Sequence, residues 1–233
     1  MMQHTHSAIH ACRTNATMKD YPGRMAALFF TPGCNFRCTF CHNADLFTED
    51  KCYAWEELED ILRKFKKQWV TAVCITGGEP TIRPELPETI EFLAKRGFSV
   101  KLDTNGSNPA MLKELLPMLD YVAMDIKCSF ASYPVLTRFN DVEKLRESIR
   151  LIRAGGISHE FRTTVIESFH TDGELRAAAK EIAGADKYFL QAFVPHDNLP
   201  DEALRTQLRT HKEFLLHAAD VIRPIVPTVA LRE

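Results

Sequence analysis

The chain of 233 residues lacks what would place it in a membrane or on a polyanion. Its first twenty residues, MMQHTHSAIHACRTNATMKD, contain no apolar stretch of the kind a secretory signal needs. No run of 18 apolar residues occurs, so no membrane span is expected. Charge of one sign is also missing: 29 Lys and Arg face 31 Asp and Glu, a net charge of −2, so neither nucleic acid nor anionic lipid is implied as a partner. There is no internal repeat and no low-complexity linker. The simplest organisation is one domain over residues 20–233 behind a mobile polar extension, residues 1–19, whose His4, His6 and His10 need no metal to explain them. A cytoplasmic location is expected. Thiols stay reduced there, so clustered cysteines read as metal ligands or catalysts rather than as disulfide staples.

What the chain does have is an alternation of short apolar runs and amphipathic segments. Strands are predicted over 24–30, 70–76, 98–104, 121–127, 159–165 and 187–193. Helices are predicted over 55–69, 84–97, 109–118, 141–156, 172–184 and 200–219, with Gly97 ending the second and Asp141 capping the fourth. The first carries its apolar period on Trp55, Leu58, Ile61, Leu62, Phe65 and Trp69, which leaves the lysines of RKFKKQW on a wet face rather than on a nucleic-acid site. The tail from Val221, with its two prolines, is extended at most. Six strand–helix units imply parallel pairing and right-handed crossovers. An open doubly wound sheet and a partial barrel both satisfy that order. Polar residues favour the barrel: Glu79, Asp103, Asn105, Asp125, Lys127, Arg162 and Gln191 all fall at or near strand ends, where a barrel assembles its site.

The most informative stretch is TPGCNFRCTFCHN, residues 31–43, directly after the first strand. Cys34, Cys38 and Cys41 stand at C-x₃-C-x₂-C spacing. Thiolates in tight local spacing hold iron–sulfur clusters. A four-iron cubane wants four ligands, so three cysteines leave one iron open, and an open coordination position is a place for a substrate. Zinc is the alternative, with His42 as a fourth ligand, although a residue adjacent to Cys41 is poorly placed to complete the same tetrahedron. Cys12, Cys52, Cys74 and Cys128 have no clustered spacing, and Cys74 reads as core. Only Cys52 and Cys74 lie between Cys41 and Gly77, so a single cluster is expected. A second motif, ITGGEP at 75–80, follows the second strand: Gly77 and Gly78 would let the backbone approach a ligand, and Glu79 suits a cationic amine.

The three cysteines, with Phe40 before the last of them, together with Gly77-Gly78-Glu79-Pro80, resemble the radical S-adenosylmethionine (radical SAM) superfamily. The resemblance implies an α/β fold, a partial (β/α)₆ TIM-like barrel. It also implies one 4Fe–4S cluster on Cys34, Cys38 and Cys41, with S-adenosylmethionine chelating the fourth iron and Phe40 near its adenine. DYPGRMAALFF, KLDTNGSNPAML, YVAMDIK and EFRTTV extend the likeness, in order over about residues 20–193, to the activating proteins of anaerobic ribonucleotide reductase. Such an enzyme would cleave S-adenosylmethionine to methionine and a 5′-deoxyadenosyl radical and would install a glycyl radical on its partner protein, drawing its electron from a flavodoxin or ferredoxin. Position by position, Glu79 would meet the methionyl amine, and Asp103, Asn105, Asp125 and Lys127 would lie near the methionyl carboxylate or a monovalent cation. Arg162 would serve a carboxylate, or else form a surface or interstrand ion pair. His170 and His196 are expected to be solvated loop residues. A radical SAM enzyme acting on a small molecule is the alternative reading.

Overall fold

The computed structural model describes residues 4–232. One eight-stranded sheet runs in strict chain order: β1 (Ala11–Cys12), β2 (Ala26–Thr31), β3 (Ala72–Gly77), β4 (Ser99–Thr104), β5 (Tyr121–Asp125), β6 (Ser158–Val165), β7 (Tyr188–Ala192) and β8 (Val229–Arg232). Every neighbouring pair is parallel except β1 with β2. Helices α1 (Trp55–Lys67), α2 (Leu86–Lys95), α3 (Pro109–Leu115), α4 (Tyr133–Thr137), α5 (Val142–Ala154), α6 (Asp172–Glu181), α7 (Glu202–Arg205) and α8 (Lys212–Ile222) fill the connections. Among the described residues β1 and β8 do not pair, so the sheet curls into a barrel that stays open between its two edges. The fold is thus the expected α/β partial barrel, and among the described residues no helix is long and apolar enough to cross a membrane.

The strands are nearly continuous apolar runs because both faces are covered. In α1 the buried side chains are Trp55, Leu58, Leu62 and Phe65, a stripe at helical spacing. Trp69, read as part of that stripe, is not: α1 ends at Lys67, and Trp69 sits at φ 62° with 88% of its surface exposed. Asp141 does occupy the N-cap of α5, but its side chain makes no cap hydrogen bond and pairs with Lys144 instead.

Both chain ends depart from expectation. The predicted mobile extension is packed: Ala8 and Ile9 are fully buried, Ser7 N–H donates to Tyr53 O (2.9 Å) while Tyr53 N–H donates to Ile9 O (2.7 Å), and β1 adds an antiparallel edge strand through Ala11↔Phe30. Short apolar patches inside a polar segment gave too little periodicity to announce this. The predicted helix over 200–219 is two helices, α7 and α8, because Thr210 leaves the helical path to bond Val165 and Phe193. The tail beyond it becomes β8, an eighth strand alongside β7.

The lower end of the barrel interior is plugged. Glu160, fully buried, accepts two bonds from Arg232 (2.9 and 3.1 Å) and one from the Tyr121 hydroxyl (2.9 Å). Towards the strands' carboxyl ends the parallel register sets side chains beside one another: Asp125 against Arg162, Thr164 against Gln191.

Candidate active site

A cavity of about 380 Å³ opens at those carboxyl ends. It is lined by Cys34, Cys38 and Cys41, by Phe40, by Gly77, Gly78 and Glu79, and by Asp103, Asn105, Asp125, Lys127, Arg162 and Gln191. Every residue singled out from the two motifs and the strand ends is thus brought to one place. The volume suits one drug-sized molecule.

The cysteine loop is held from beneath by the glycines. Gly78 N–H donates to Thr31 O (3.0 Å) and Glu79 N–H to Gly33 O (2.9 Å). A Cβ on Gly78 would lie 1.7 Å from Gly33 O, and one on Gly77, at φ 117°, would lie 2.4 Å from Thr31 N. The expected close approach is seen with the backbone of Thr31 and Gly33, and both glycines also line the cavity. The loop is tied elsewhere as well: Arg37 N–H and Thr39 N–H donate to Thr137 O and Leu136 O of α4, and the Arg37 guanidinium covers the carbonyls of Cys34 and Phe36.

Glu79 is buried, and its own chain occupies it. Oε1 accepts from Thr81 N–H (3.1 Å), Thr81 Oγ1 (2.5 Å) and Thr104 Oγ1 (2.6 Å), and Oε2 accepts from Asn105 N–H (2.6 Å). Burial raises its carboxyl above the ordinary value, and the four donors offset part of that. One acceptor position on Oε2 remains for a cation. Asn105 reaches the cysteine loop by donating to Asn35 Oδ1 (3.1 Å).

Across the cavity runs a chain of charges. Lys101 pairs with Asp103; Arg162 donates Nη1–H to Asp103 Oδ2 (2.9 Å) and Nε–H to Asp125 Oδ1 (2.9 Å); Lys127 donates to Asp125 Oδ2 (2.7 Å). Three cations meet two carboxylates, leaving one positive charge in excess. Burial alone would raise both carboxyls, but Arg162 with Lys101 holds Asp103 down, and Arg162 with Lys127 holds Asp125 well below the usual carboxylate range. Arg162 is therefore an interstrand pair, although a buried one rather than a surface one. Lys101, fully buried within β4, was missed; a lysine inside an apolar strand is itself the signal, since such a charge needs a partner.

His170 is a correction. It is fully buried, not solvated: Nδ1 accepts from Ile166 N–H (2.9 Å) and Nε2 faces Lys127 O (3.0 Å), which fixes the end of β5. Burial lowers its pKa. His196 is exposed as expected, its ring 6.3 Å from that of His42. His42 itself bonds Val194 O (2.8 Å).

The donor set fits a multi-iron cluster. The thiols of Cys34, Cys38 and Cys41 line the same cavity, a sulfur donor set of the kind that holds iron–sulfur clusters. Burial pushes the Cys34 thiol up to about 12 and Cys38 to about 11, and raises Cys41. Thiols so buried give up their protons to a metal rather than to water. Lys127, acting against that burial, favours the charged form of Cys38 and Cys41. Cys74 and Cys128 are core residues, as read for Cys74, and Cys12 and Cys52 are half-buried.

The comparisons agree with this geometry. The model of the radical SAM superfamily matches residues 28–182, more than half of the chain. A protein of Methanocaldococcus jannaschii, provisionally named a glycyl-radical enzyme activating enzyme, is 29% identical over 221 residues, 91% of each chain. A 7-carboxy-7-deazaguanine synthase of Neisseria meningitidis is 34% identical over 135 residues, 57% of each chain. Streptococcus suis SuiB bound to its precursor peptide SuiA has the same fold, with a TM-score of 0.70 at 13% identity over 88% of this chain and 48% of that one.

Proposed function

Because the chain belongs to the radical SAM superfamily, and so is an enzyme that uses a 4Fe–4S cluster and S-adenosylmethionine, we propose that it installs a glycyl radical on a partner protein and that the partner is an anaerobic ribonucleotide reductase. When bound, that pair supplies reductive cleavage of a carbon–sulfur bond and with it a carbon radical able to take a hydrogen atom from a glycine Cα.

The chain's own residues do the rest. Cys34, Cys38 and Cys41 hold three irons. Lys127 uses one of its three N–H donors on Asp125 and offers the others to the methionyl carboxylate. The open position on Glu79 Oε2 receives the methionyl ammonium, while Asp103 and Asn105 keep that end of the cavity in place. Phe36 and Phe40 wall it against water. The electron comes from a flavodoxin or ferredoxin, in the cytoplasm.

The observation that carries the choice of a protein substrate is the charge of what remains. Lys101, Arg162 and Lys127 are already paired. The side chains of the cavity without partners among the described residues include one cation, Arg13, one anion, Asp20, and the neutral Thr164 and Gln191. A nucleotide polyphosphate would want clustered free cations and no carboxylate. A neutral peptide segment suits this set.

The test mixes reduced protein, S-adenosylmethionine and the reductase without oxygen. Electron paramagnetic resonance is expected to show the doublet of a glycyl radical, and air is expected to cleave the reductase near it. Cys38→Ala is expected to give neither. Formation of 5′-deoxyadenosine with no protein radical would turn the assignment to a small-molecule substrate.

A further inference from the structure

Arg13 and Gln191 line the same cavity near the two edges of the sheet, Arg13 just after β1 and Gln191 on β7, the neighbour of β8. Arg13 directly follows β1, one edge of the sheet, and its N–H donates to Leu28 O (3.0 Å), which locks its main chain onto β2. Gln191 lies on β7 opposite Arg232 of β8, the other edge. Both side chains line the cysteine-bearing cavity. Neither side chain has a hydrogen bond or an ion pair among the described residues, although Asp20 lines the same cavity.

We propose that Arg13 and Gln191 are a two-point grip on the main chain of the substrate segment that enters this cavity, an inference that rests on the protein-substrate reading above. The chemistry matches. A guanidinium has donors only, in a rigid fork, and takes main-chain carbonyls. A primary amide has a donor and an acceptor and takes a peptide N–H and C=O together. Asp20 offsets the charge of Arg13, so the grip selects neither anions nor cations. The cavity is too small to enclose a folded partner once cluster and cofactor are in it, so the segment must be presented as a loop from outside and held at the entrance.

The experiment uses the full chain with its cluster reconstituted and the anaerobic ribonucleotide reductase as probe. Binding of the reductase is measured by calorimetric titration, and KM and kcat for radical formation are measured on the same preparations. Arg13→Ala and Gln191→Ala are each expected to raise Kd and KM for the reductase about tenfold with kcat little changed. Arg13→Lys is expected to recover only part of the loss, because an ammonium lacks the fork. Iron content and Tm are expected to stay at the wild-type values, since neither side chain has an internal partner. Wild-type Kd and KM in both alanine variants would overturn the grip while leaving the protein-substrate reading intact, and a fall in kcat and Tm with Kd unchanged would overturn it in favour of a structural role. A wild-type protein that neither binds nor activates the reductase would overturn the functional reading and this inference with it.

Discussion

Glu79, on the cysteine side of the cavity, accepts four hydrogen bonds from its own chain, and Arg13, just after β1, has no side-chain partner among the described residues. The same division holds for their neighbours. Asp103, Asp125, Arg162 and Lys127 are knitted together across three strands, and Asn105 reaches the cysteine loop. Thr164, Gln191 and Asp20 are left uncommitted. A wall whose polar groups are satisfied internally cannot rearrange cheaply, which suits a resident cluster and cofactor that need a geometry set in advance. A wall of unsatisfied, water-facing groups is free to adapt, which suits a partner that arrives and leaves.

The contrast can be broken most sharply at Gly78. With a Cβ placed 1.7 Å from Gly33 O, Gly78→Ala must push the two motifs apart. The expected cost is on the order of 4–5 kcal/mol or more, with loss of iron from the purified protein. An iron-to-protein ratio and a Tm equal to the wild type would refute the account of the motif given above.

A smaller effect is expected from Arg162→Met, which removes the side chain that bridges Asp103 and Asp125 but leaves each its lysine, Lys101 and Lys127. Losing charge-assisted hydrogen bonds while both carboxylates keep a cation costs about 1.5–3 kcal/mol at neutral pH. In the wild type both carboxyls titrate below their unfolded values, so their contribution is present above the ordinary carboxylate range and lost as pH falls through the depressed values. Without Arg162 the two carboxyls become easier to protonate, and the difference between the proteins should shrink from pH 7 to pH 5. Denaturant unfolding at both values checks this; a constant difference would mean that the network does not titrate as one unit.

The smallest effect is expected at His170→Gln. Burial lowers the histidine's folded pKa below its ordinary value of 6.5, so the unfolded chain binds the extra proton first and the wild type loses stability as pH falls through that range. A glutamine keeps a donor and an acceptor but does not titrate. It is expected to cost about 1 kcal/mol at pH 7 and less at pH 5. Parallel pH–stability curves for the two proteins would show that His170 is not the neutral clasp on Lys127 O described here.

Much of this arrangement could be read without coordinates, and the exceptions share a cause. Cysteine spacing and the strand-end polar residues are local, so Cys34, Cys38, Cys41, Asp125 and Lys127 announce themselves within a few positions. His170 could not be understood that way, because what explains it is the main-chain carbonyl of Lys127, 43 residues away, in a buried setting. The N-terminal segment hid for another reason: an edge strand only two residues long carries no period to detect.

The sequence by itself determined the chemistry and the order of the elements, since thiolate spacing is a property of adjacent residues and hydrophobic period is a property of each segment. Only the tertiary structure decided what each polar side chain is for. Gly77 and Gly78 lie against the cysteine loop, Arg162 bonds two aspartates, and Arg13 and Gln191 come to line one cavity. The physical reason is that satisfaction of a hydrogen-bonding group depends on which strands the curl of the sheet brings side by side, and that curl is set by the packing of the whole barrel rather than by any one segment.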